Sequence, residues 1–307
     1  MRVVGIGQCS WDYLAVVDAF PASNTKAEVS DWQEQGGGPV ATALVTLARL
    51  GVPCDFHGVI GDDQEGEKIK KSLRSEGIGI SLLVTRENAV SQKAFIAIEQ
   101  RSAKRTIFWE RPSGNPLLPE ELPGTLFDDC SFLLLDGLMS EVSLFAAKKA
   151  QSRGIPVMLD AGKIRPGTLE IAGLCDYLVA SEQFACDLGW AGNPAGFQDQ
   201  AKRLGATVVT ITLGGQGSIT YRDNEIIAIP AFQVDALDTT GAGDVFHGAY
   251  IFGLLEGLDL ADTIRFASAV AAMKCRRIGG RAGIPDKAGA ISFLAERGIT
   301  LQRKDLF

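Results

Sequence analysis

The sequence has few of the residues that build metal centres and cross-linked folds. It contains only two histidines, His57 and His247, so we expect no histidine-based metal site. Its six cysteines are scattered, and no Cys-x-x-Cys pair occurs among them. Such thiols are typical of a reducing compartment, and we identify no signal peptide. We therefore expect reduced, mostly buried cysteines in a cytoplasmic protein.

Long runs of one residue class are also missing. No apolar stretch approaches the roughly 20 residues that span a bilayer, so we expect no membrane partner. The formal net charge is −7 and no long basic run occurs, which argues against a nucleic-acid partner. No internal repeat or low-complexity linker divides the sequence, so we expect one domain over residues 1–307. With 46% hydrophobic and 22% charged residues, the composition is that of an ordinary globular enzyme.

The second half of the chain alternates between apolar strands and amphipathic helices. Predicted strands cover residues 132–136, 156–160, 177–180 and 207–212, and predicted helices cover residues 142–152, 182–188 and 194–204. Continuous apolar strands that alternate with helices form a parallel sheet covered on both faces. The predicted fold class is therefore α/β.

One stretch, residues 238–246, carries most of the chemical signal: Asp-Thr-Thr-Gly-Ala-Gly-Asp-Val-Phe. It follows strand-like runs at 226–229 and 232–237 and opens a helix that we expect to begin near Gly241. Small residues at a helix start let an anion approach the free N–H groups, and the helix dipole attracts it. Asp244 would stand beside that anion, where a carboxylate is suited to accept a hydroxyl proton. The alternative is a capped helix with a glycine-rich turn and no ligand.

Two stretches in the first half have a similar character. Asp12 follows the first strand, at the edge where open α/β sheets bind ligands, and the alternative is a simple turn aspartate. A Gly-Gly-Gly-Pro run at 36–39 precedes a helix and again permits close backbone approach. Residues 5–10 imitate a dinucleotide-binding fingerprint but lack its third glycine and lead into a strand, so we reject that interpretation. Asp63 is most simply a helix N-cap.

Polar-faced strands form a separate group. We predict strands at residues 81–84, 93–99 and 105–109 with no helix between them, and we expect them to make a small antiparallel sheet together with predicted strands at residues 13–17 and 28–34. Arg105 and Arg111 lie at the end of this group and either reach a substrate or remain solvated. We expect His247, which follows the 238–246 stretch, to pack against the core.

The 238–246 stretch resembles the second signature of the ribokinase-like, or pfkB-type, carbohydrate kinases. Asp12, the glycine pair before the first helix, the 61–63 turn, the 212–217 turn and a final glycine loop follow in that family's order. The resemblance spans nearly the whole chain. It implies a ribokinase-like fold, in which a mainly parallel sheet has helices on both faces and a small β-sheet acts as a lid. The lid would comprise approximately residues 12–35 and 88–112 and would form a homodimer contact.

The resemblance also implies an activity, the ATP-dependent phosphorylation of a hydroxymethyl group on a sugar. Asp244 would be the general base, and the backbone of Gly241, Ala242 and Gly243 would hold the developing negative charge. The residues that would bind the sugar are Asp12, Gly37, Gly38, Thr42, Arg105 and Arg111. Thr42 stands where relatives usually have asparagine.

The nucleotide and its ions would lie beside the sugar. The nucleotide-binding residues that the resemblance implies are Lys163, Arg165, Ser181, Glu182, Thr212, Gly214, Gly217 and Ala271. Glu182 would hold Mg²⁺ through water, although Ser181 and Phe184 depart from the usual Asn-x-x-Glu motif. Asp238 and Thr240 would lie at a site for a monovalent cation, K⁺.

Within the family, the sequence is most similar to the sulfofructose kinase, ketohexokinase and fructokinase branches, which act on ketoses. Gly137 and Leu138 stand where the sulfofructose branch carries an arginine, so a neutral or differently charged ketose is expected. Trp11, Phe95, Phe108 and Trp109 keep a nucleoside kinase of the adenosine type open as an alternative. A catalytically silent regulator that binds sugar or nucleotide on the same fold is the alternative from another functional class.

Overall fold

The computed structural model describes residues 1–303, which form strands and helices in alternation. The strands are β1 (Val3–Ile6), β2 (Ser10–Val17), β3 (Val29–Gly37), β4 (Cys54–His57), β5 (Val59–Gly61), β6 (Val84–Arg86), β7 (Lys93–Glu99), β8 (Lys104–Glu110), β9 (Phe132–Leu135), β10 (Val157–Ala161), β11 (Tyr177–Ser181), β12 (Val208–Thr212), β13 (Ser218–Arg222) and β14 (Glu225–Ile229). The helices are α1 (Pro39–Arg49), α2 (Gln64–Ser75), α3 (Ser140–Gln151), α4 (Thr168–Ala172), α5 (Glu182–Asp187), α6 (Pro194–Leu204), α7 (Ala242–Leu255), α8 (Leu260–Lys274) and α9 (Lys287–Ala295).

The main sheet has eight strands within the described residues, in the order β14-β13-β12-β11-β10-β9-β1-β4. All neighbouring pairs from β4 to β12 are parallel, and β13 and β14 extend the sheet antiparallel. Strands such as β9, Phe-Leu-Leu-Leu, are wholly buried because helices cover both faces. One buried cluster contains side chains of α1, α2, α7, α8 and α9, and the other contains those of α3 to α6. The predicted α/β class is confirmed.

A second sheet of four strands, which we call the small sheet, has the order β3-β2-β7-β8. We expected it to be antiparallel throughout, which is wrong for one pair, since β2 and β7 run parallel. Several elements, including α1, α2 and the main-sheet strand β4, separate β2 from β7 along the chain. The two strands are therefore not joined by a hairpin, which would have made them antiparallel. The strand predicted at 81–84 is also misplaced, because β6 begins at Val84 and pairs with β5 in a separate two-stranded sheet.

The two faces of the small sheet differ in what they contact. Residues paired in register lie on the same face of a sheet, and neighbours along a strand lie on opposite faces. One face of the small sheet therefore carries Asp12, Ile96, Ile107 and Trp109. The other face carries Trp32, Phe95 and Phe108. The ring centroid of Phe95 lies 5.8 Å from that of Trp32 and 6.2 Å from that of Phe108. Trp32 is 60% exposed and Phe108 is 54% exposed, so this aromatic face is open to solvent within the described residues.

The segment before the 238–246 stretch departs from the predicted strand. Residues 232–237 have no strand partner, whereas Leu237 and Asp238 both donate N–H bonds to the Cys275 carbonyl at the end of α8. The chain is therefore held against a helix end, and this attachment positions the turn that follows. Five of the six cysteines are buried, and Cys186 is exposed. Among residues 1–303, no helix has both the length and the apolar character needed to cross a bilayer.

Candidate active site

Two cavities meet at the carboxyl edge of the main sheet, where open α/β sheets bind ligands. The inner cavity, about 400 Å³, lies between the main sheet and the small sheet and is lined by Asp12, Arg105 and Asp244 among others. The outer cavity, about 350 Å³, lies between the 212–217 turn, residues 231–236 and α8. Thr212 and Gly243 line both cavities. A group bound in one cavity can therefore touch a group bound in the other at this shared wall.

The start of α7 forms the shared wall. Gly241 has φ 72°, and a Cβ there would lie 3.0 Å from Gly280 Cα, so any other residue would be strained and crowded in this turn. The N–H groups of Gly243 and Asp244 donate to no protein atom within residues 1–303. Free N–H groups at the positive end of a helix dipole bind anions. The geometry of this turn is therefore compatible with a bound anion.

Asp244 lies in the first turn of α7 and faces the inner cavity. Burial raises the pKa of its carboxyl, and the nearby charges of His247 and Arg105 oppose that rise. A carboxylate with a raised pKa, next to an anion-binding turn, is suited to take a proton from a bound hydroxyl.

His247 is one helical turn below Asp244 and is almost fully buried. Its Nδ1 is 2.6 Å from Gly243 O, and its Nε2 is 3.0 Å from Val179 O. Both nitrogens face carbonyl oxygens, so only the protonated ring donates to both. The Asp160 carboxylate lies 3.5 Å from Nδ1. His247 packs, as expected, and it also lines the inner cavity.

Asp160 and Asp136 end neighbouring parallel strands and were not among the predicted site residues. Burial raises the pKa of Asp160 to about 6, and the charge of His247 opposes this shift. Burial likewise raises the pKa of Asp136 to about 7, while N–H bonds from Gln8 and Leu138 oppose it. Their position was a signal that sequence reasoning could have used, since the carboxyl ends of parallel strands meet at the ligand edge.

Asp12 and the glycines before α1 form the opposite wall of the inner cavity. Ser10 Oγ donates to Asp12 Oδ1 at 2.7 Å, and burial raises the pKa of Asp12 to about 6. A Cβ at Gly37 would lie 2.1 Å from Asp12 Oδ2, so this carboxylate needs glycine beside it. Gly38 has φ 92° and starts α1. Asp12 and Gly38 line the cavity, and Gly37 supports Asp12 from behind.

Arg281 holds the turn before α1 from beneath, and sequence reasoning missed it. Its guanidinium donates to Gly37 O at 2.9 Å, to Thr42 Oγ1 at 3.2 Å and to Ser72 Oγ at 3.3 Å. Burial lowers the pKa of Arg281 to about 10. Thr42 is buried against this arginine and does not line the inner cavity, contrary to its predicted contact with substrate. Its hydroxyl is already used to hold Arg281.

Asp238 and Lys274 lie behind the α7 turn. Asp238 is fully buried, and its Oδ1 accepts from Thr240 N at 2.8 Å and from Thr240 Oγ1 at 2.7 Å. Its Oδ2 accepts from Gly279 N at 2.7 Å. The Lys274 ammonium donates to the Asp238 carbonyl at 2.8 Å. This bonding pattern ties the turn to the loop after α8.

The outer cavity is a cleft whose lining suits a flat ring. Four of the predicted nucleotide residues, Thr212, Gly214, Gly217 and Ala271, line it. Ala272 and Ser268 continue this wall on α8, and Phe232 and Val234 form the opposite side. Small residues on one side and apolar ones on the other leave space for a purine to lie between them.

Other predicted residues lie at the margins of the two cavities. Ser181 lines the inner cavity and caps α5, whereas Lys163, Arg165 and Glu182 are exposed and line neither cavity. Their nucleotide contacts stay predictions. Arg105 Nη1 donates to Thr239 Oγ1 at 2.8 Å and so joins the small sheet to the α7 turn.

Arg111 does not line the inner cavity either. It borders a separate pocket of about 190 Å³, and its guanidinium lies over the Trp109 ring, 4.9 Å from the centroid. Trp109 itself lines the inner cavity, so Arg111 contacts a residue of the cavity wall without lining the cavity. Direct contact between Arg111 and a substrate stays a prediction.

Comparison with known proteins supports one family over nearly the whole length. The model of the pfkB family carbohydrate kinases matches residues 1–287. A ribokinase of Haemophilus influenzae is 27% identical over 298 residues, which cover 94% of this chain and 97% of that protein. A nucleoside kinase of Methanothermobacter thermautotrophicus is 26% identical over 303 residues and covers 96% of each chain.

A solved structure with a similar fold is that of Arabidopsis thaliana ribokinase complexed with ribose and ATP. It superimposes with a TM-score of 0.83 at 22% identity, covering 95% of this chain and 98% of that one. The likeness establishes the ribokinase-like fold: a mostly parallel central sheet, helices on both faces and a small additional sheet.

Proposed function

We propose, since the chain belongs to the pfkB family of carbohydrate kinases, that it transfers the γ-phosphoryl group of ATP to a hydroxymethyl group of a sugar. The observation that carries this proposal is the wall that the two cavities share at Thr212 and Gly243. ATP in the outer cavity would present its terminal phosphate at this wall, and an alcohol in the inner cavity would meet it there. Phosphoryl transfer requires such an in-line meeting of nucleophile and phosphate.

Asp244 accepts the proton of the attacking hydroxyl in this proposal. It adjoins the shared wall, and its raised pKa brings it closer to the range in which a carboxylate works as a general base. The free N–H groups of Gly243 and Asp244 hold the charge that develops on the phosphate oxygens. Gly241 and Ala242 shape the turn that aims them. Base and charge-stabilising group thus come from one helix start.

Asp12 binds the hydroxyls of the sugar from the opposite wall of the inner cavity. Its Oδ2 faces the backbone of the turn before α1, and Gly38 lets a ligand approach that backbone closely. Arg105 adds a donor from the small sheet. We propose a ketose or ketose derivative as the acceptor, on the similarity of the glycine motifs to the ketose-specific branches.

Mg²⁺, held near the start of α5, would offset the negative charge of the ATP phosphates. The ion prefers oxygen ligands and commonly keeps several waters, so exposed groups can hold it through water. Ser181 and Glu182 offer a hydroxyl and a carboxylate at the start of α5, beside the inner cavity. These residues fit a water-mediated contact. We include no K⁺, because the buried Lys274 ammonium already lies against Asp238 O and would repel a second cation there.

A nucleoside kinase is a second candidate, favoured by one observation. The wall of the inner cavity on the small sheet is formed by Ile96, Ile107 and Trp109, which suit a nucleobase better than a polyol. One curated relative is a nucleoside kinase. The acceptor that gives the highest kcat/KM decides between the two candidates.

We further propose that two copies of the chain associate through the small sheet, in the cytoplasm. The exposed aromatic face formed by Trp32, Phe95 and Phe108 is the feature that would be covered. Sedimentation velocity of the purified protein and of Phe108→Glu tests this association. Loss of the dimer in that variant would support it, and an unchanged mass or a monomeric wild type would contradict it.

The kinase itself is tested by release of ADP from Mg-ATP across a panel of acceptors. The panel contains fructose, tagatose, ribose, sulfofructose, fructose phosphates, 2-keto-3-deoxygluconate and adenosine. Saturable turnover on a ketose supports the proposal, turnover on ribose or adenosine corrects the acceptor, and ATP binding without turnover favours the silent regulator. Failure to bind ATP would overturn the assignment of the outer cavity.

A further inference from the structure

Lys274 is a buried cation that none of the roles above uses. It is the last residue of α8 and has no exposed surface. Among residues 1–303, the one recorded acceptor for its ammonium is the Asp238 carbonyl at 2.8 Å. A lysine is rarely buried unless its charge is needed, because removing an ammonium from water is costly. An apolar side chain would pack there at lower cost, so the charge itself requires an explanation.

The surroundings of Lys274 show what its charge acts on. Burial lowers its pKa, while the negative charges of Asp238 and, more weakly, Asp244 oppose that shift. Asp238 begins the stretch that turns into α7, and Lys274 holds its carbonyl from behind. The loop after α8 closes over this arrangement, since Gly279 N donates to Asp238 Oδ2. The ammonium therefore lies behind the turn whose free N–H groups face the shared wall.

This is also the region where the family resemblance placed K⁺, at Asp238 and Thr240. A bound K⁺ needs a ring of oxygens that replace its water. Both carboxylate oxygens and the carbonyl oxygen of Asp238 already accept from Thr240, Gly279 and Lys274. A second cation at these oxygens would also be repelled by the ammonium. The residues present do not fit K⁺.

We infer that Lys274 takes the place of the monovalent cation, so that this chain carries a fixed positive charge behind its anion-binding turn and needs no K⁺. The inference rests on the proposed function, because it assigns the charge to the same phosphate-binding turn. A permanently attached ammonium stabilises the segment around Asp238 and adds positive potential where phosphate charge develops. It performs both tasks at any salt composition.

The wild-type protein provides the first test. ADP release and the melting temperature are measured at constant ionic strength in KCl, NaCl and tetramethylammonium chloride. Coupled effectors typically change an affinity by ~5–150-fold, so a change below about twofold in turnover counts as independence. We expect that result, together with no rise in melting temperature specific to K⁺. Strong activation by K⁺, or a melting temperature that rises only with K⁺, would overturn the inference.

Variants of Lys274 provide the second test. Lys274→Met keeps most of the volume and removes the charge, and we expect kcat to fall by about 10-fold or more, below the ~10²–10³-fold cost of losing a direct donor. Lys274→Ala leaves space, and we expect K⁺, NH₄⁺ or methylammonium to restore part of its turnover in a saturable manner. Lys148→Met, which removes an exposed lysine on α3, is the matched control and should show neither effect.

The outcomes separate this inference from the proposed kinase activity. If no acceptor supports turnover, the proposed function fails, and the melting temperatures in the three salts still decide whether K⁺ binds. If turnover occurs and requires K⁺, the kinase stands and the role of Lys274 is wrong. If both variants fail to fold, the wild-type salt comparison remains decisive. Rescue by a cation would not be produced by a purely structural loss.

Discussion

The turn before α1 and the turn before α7 are built alike and positioned differently. Each starts a helix from a glycine with positive φ, Gly38 at 92° and Gly241 at 72°. Each is also held by a buried cation, since Arg281 donates to Gly37 O and Lys274 donates to Asp238 O. Only the second turn has an acidic residue in its first helical turn, Asp244, and only it borders both cavities.

The difference shows how one structural device serves two tasks. In the α1 turn, the glycines make room for the Asp12 carboxylate, which would orient the acceptor in the proposed kinase. In the α7 turn, the glycines expose N–H groups, and the Asp244 carboxylate lies beside them as the proposed base. Under this proposal, the first turn governs acceptor binding and the second governs the chemical step. Substitutions can separate these two contributions.

The largest effect is expected for Asp244→Asn. The amide keeps the shape of the side chain but cannot accept the proton, so turnover should fall by roughly 10²–10⁴-fold, the usual contribution of a general base. ATP affinity, measured by calorimetry, should change little because the outer cavity is intact. Turnover near that of the wild type would remove Asp244 from the mechanism.

Gly243→Ala should have the next largest effect. A Cβ at Gly243 meets no protein atom within 4 Å, so the variant should fold with an unchanged melting temperature. The added methyl would stand at the wall that the two cavities share and displace the phosphate, and small displacements can cost ~10²-fold in rate. Steady-state kinetics should show a lower kcat with a nearly unchanged acceptor KM. A normal kcat would mean that the phosphate does not pass this wall.

Gly37→Ala is the corresponding change in the first turn. The new methyl would push against Asp12 Oδ2 and tilt that carboxylate. One charged hydrogen bond is worth ~1.5–3 kcal/mol, so we expect the acceptor KM to rise about 10-fold or more. The KM for ATP should stay constant. The rise in the acceptor KM sets this variant apart from Gly243→Ala, which is expected to lower kcat instead. An equal rise in both KM values would mean that the two turns do not act separately.

The smallest effect at the pH optimum is expected for His247→Gln, which alters the pH profile instead. Because burial raises the pKa of Asp244, activity should be lost on the acidic side at a higher pH than for an ordinary carboxylate. His247 is the largest charge that opposes this rise, so its removal should move the acidic limb of kcat/KM further up. His57→Gln, at the other histidine, lies outside both cavities and should leave the limb in place. An unmoved limb in His247→Gln would contradict the electrostatic effect of His247 on the Asp244 carboxyl.

Sequence reasoning predicted the parts of the fold and site that depend on local pattern. The α/β class, the helix start at Gly241 and the placement of Thr212 and Asp12 follow from periodicity and from motifs whose residues are close in sequence. Residues 232–237 also have a strand-like pattern, but their attachment to the Cys275 carbonyl, not a strand neighbour, determines their conformation. The residue types at 232–237 do not reveal whether the segment pairs with a strand or attaches to a helix end.

The buried cations were beyond the reach of local pattern. Arg281 contacts Thr42 across 239 positions in the chain, and Lys274 contacts Asp238 across 36. Nothing near Lys274 in the sequence distinguishes it from an exposed lysine at the end of a helix, where lysines are common. Its role becomes visible only when the helix end is placed behind the α7 turn.

The contact between α1 and α7 has a consequence for how the protein can move. A Cβ at Gly248 on α7 would lie 2.3 Å from Ala43 O on α1, so the two helices touch backbone to backbone. Closely packed helices slide little, and the two turns therefore travel as one rigid body. If the small sheet acts as the proposed lid, opening and closing of the inner cavity would fall to that sheet, and the hydrogen bond from Arg105 to Thr239 would be one of the contacts that must break. Asp244 and the N–H groups of the α7 turn would keep their positions during that movement.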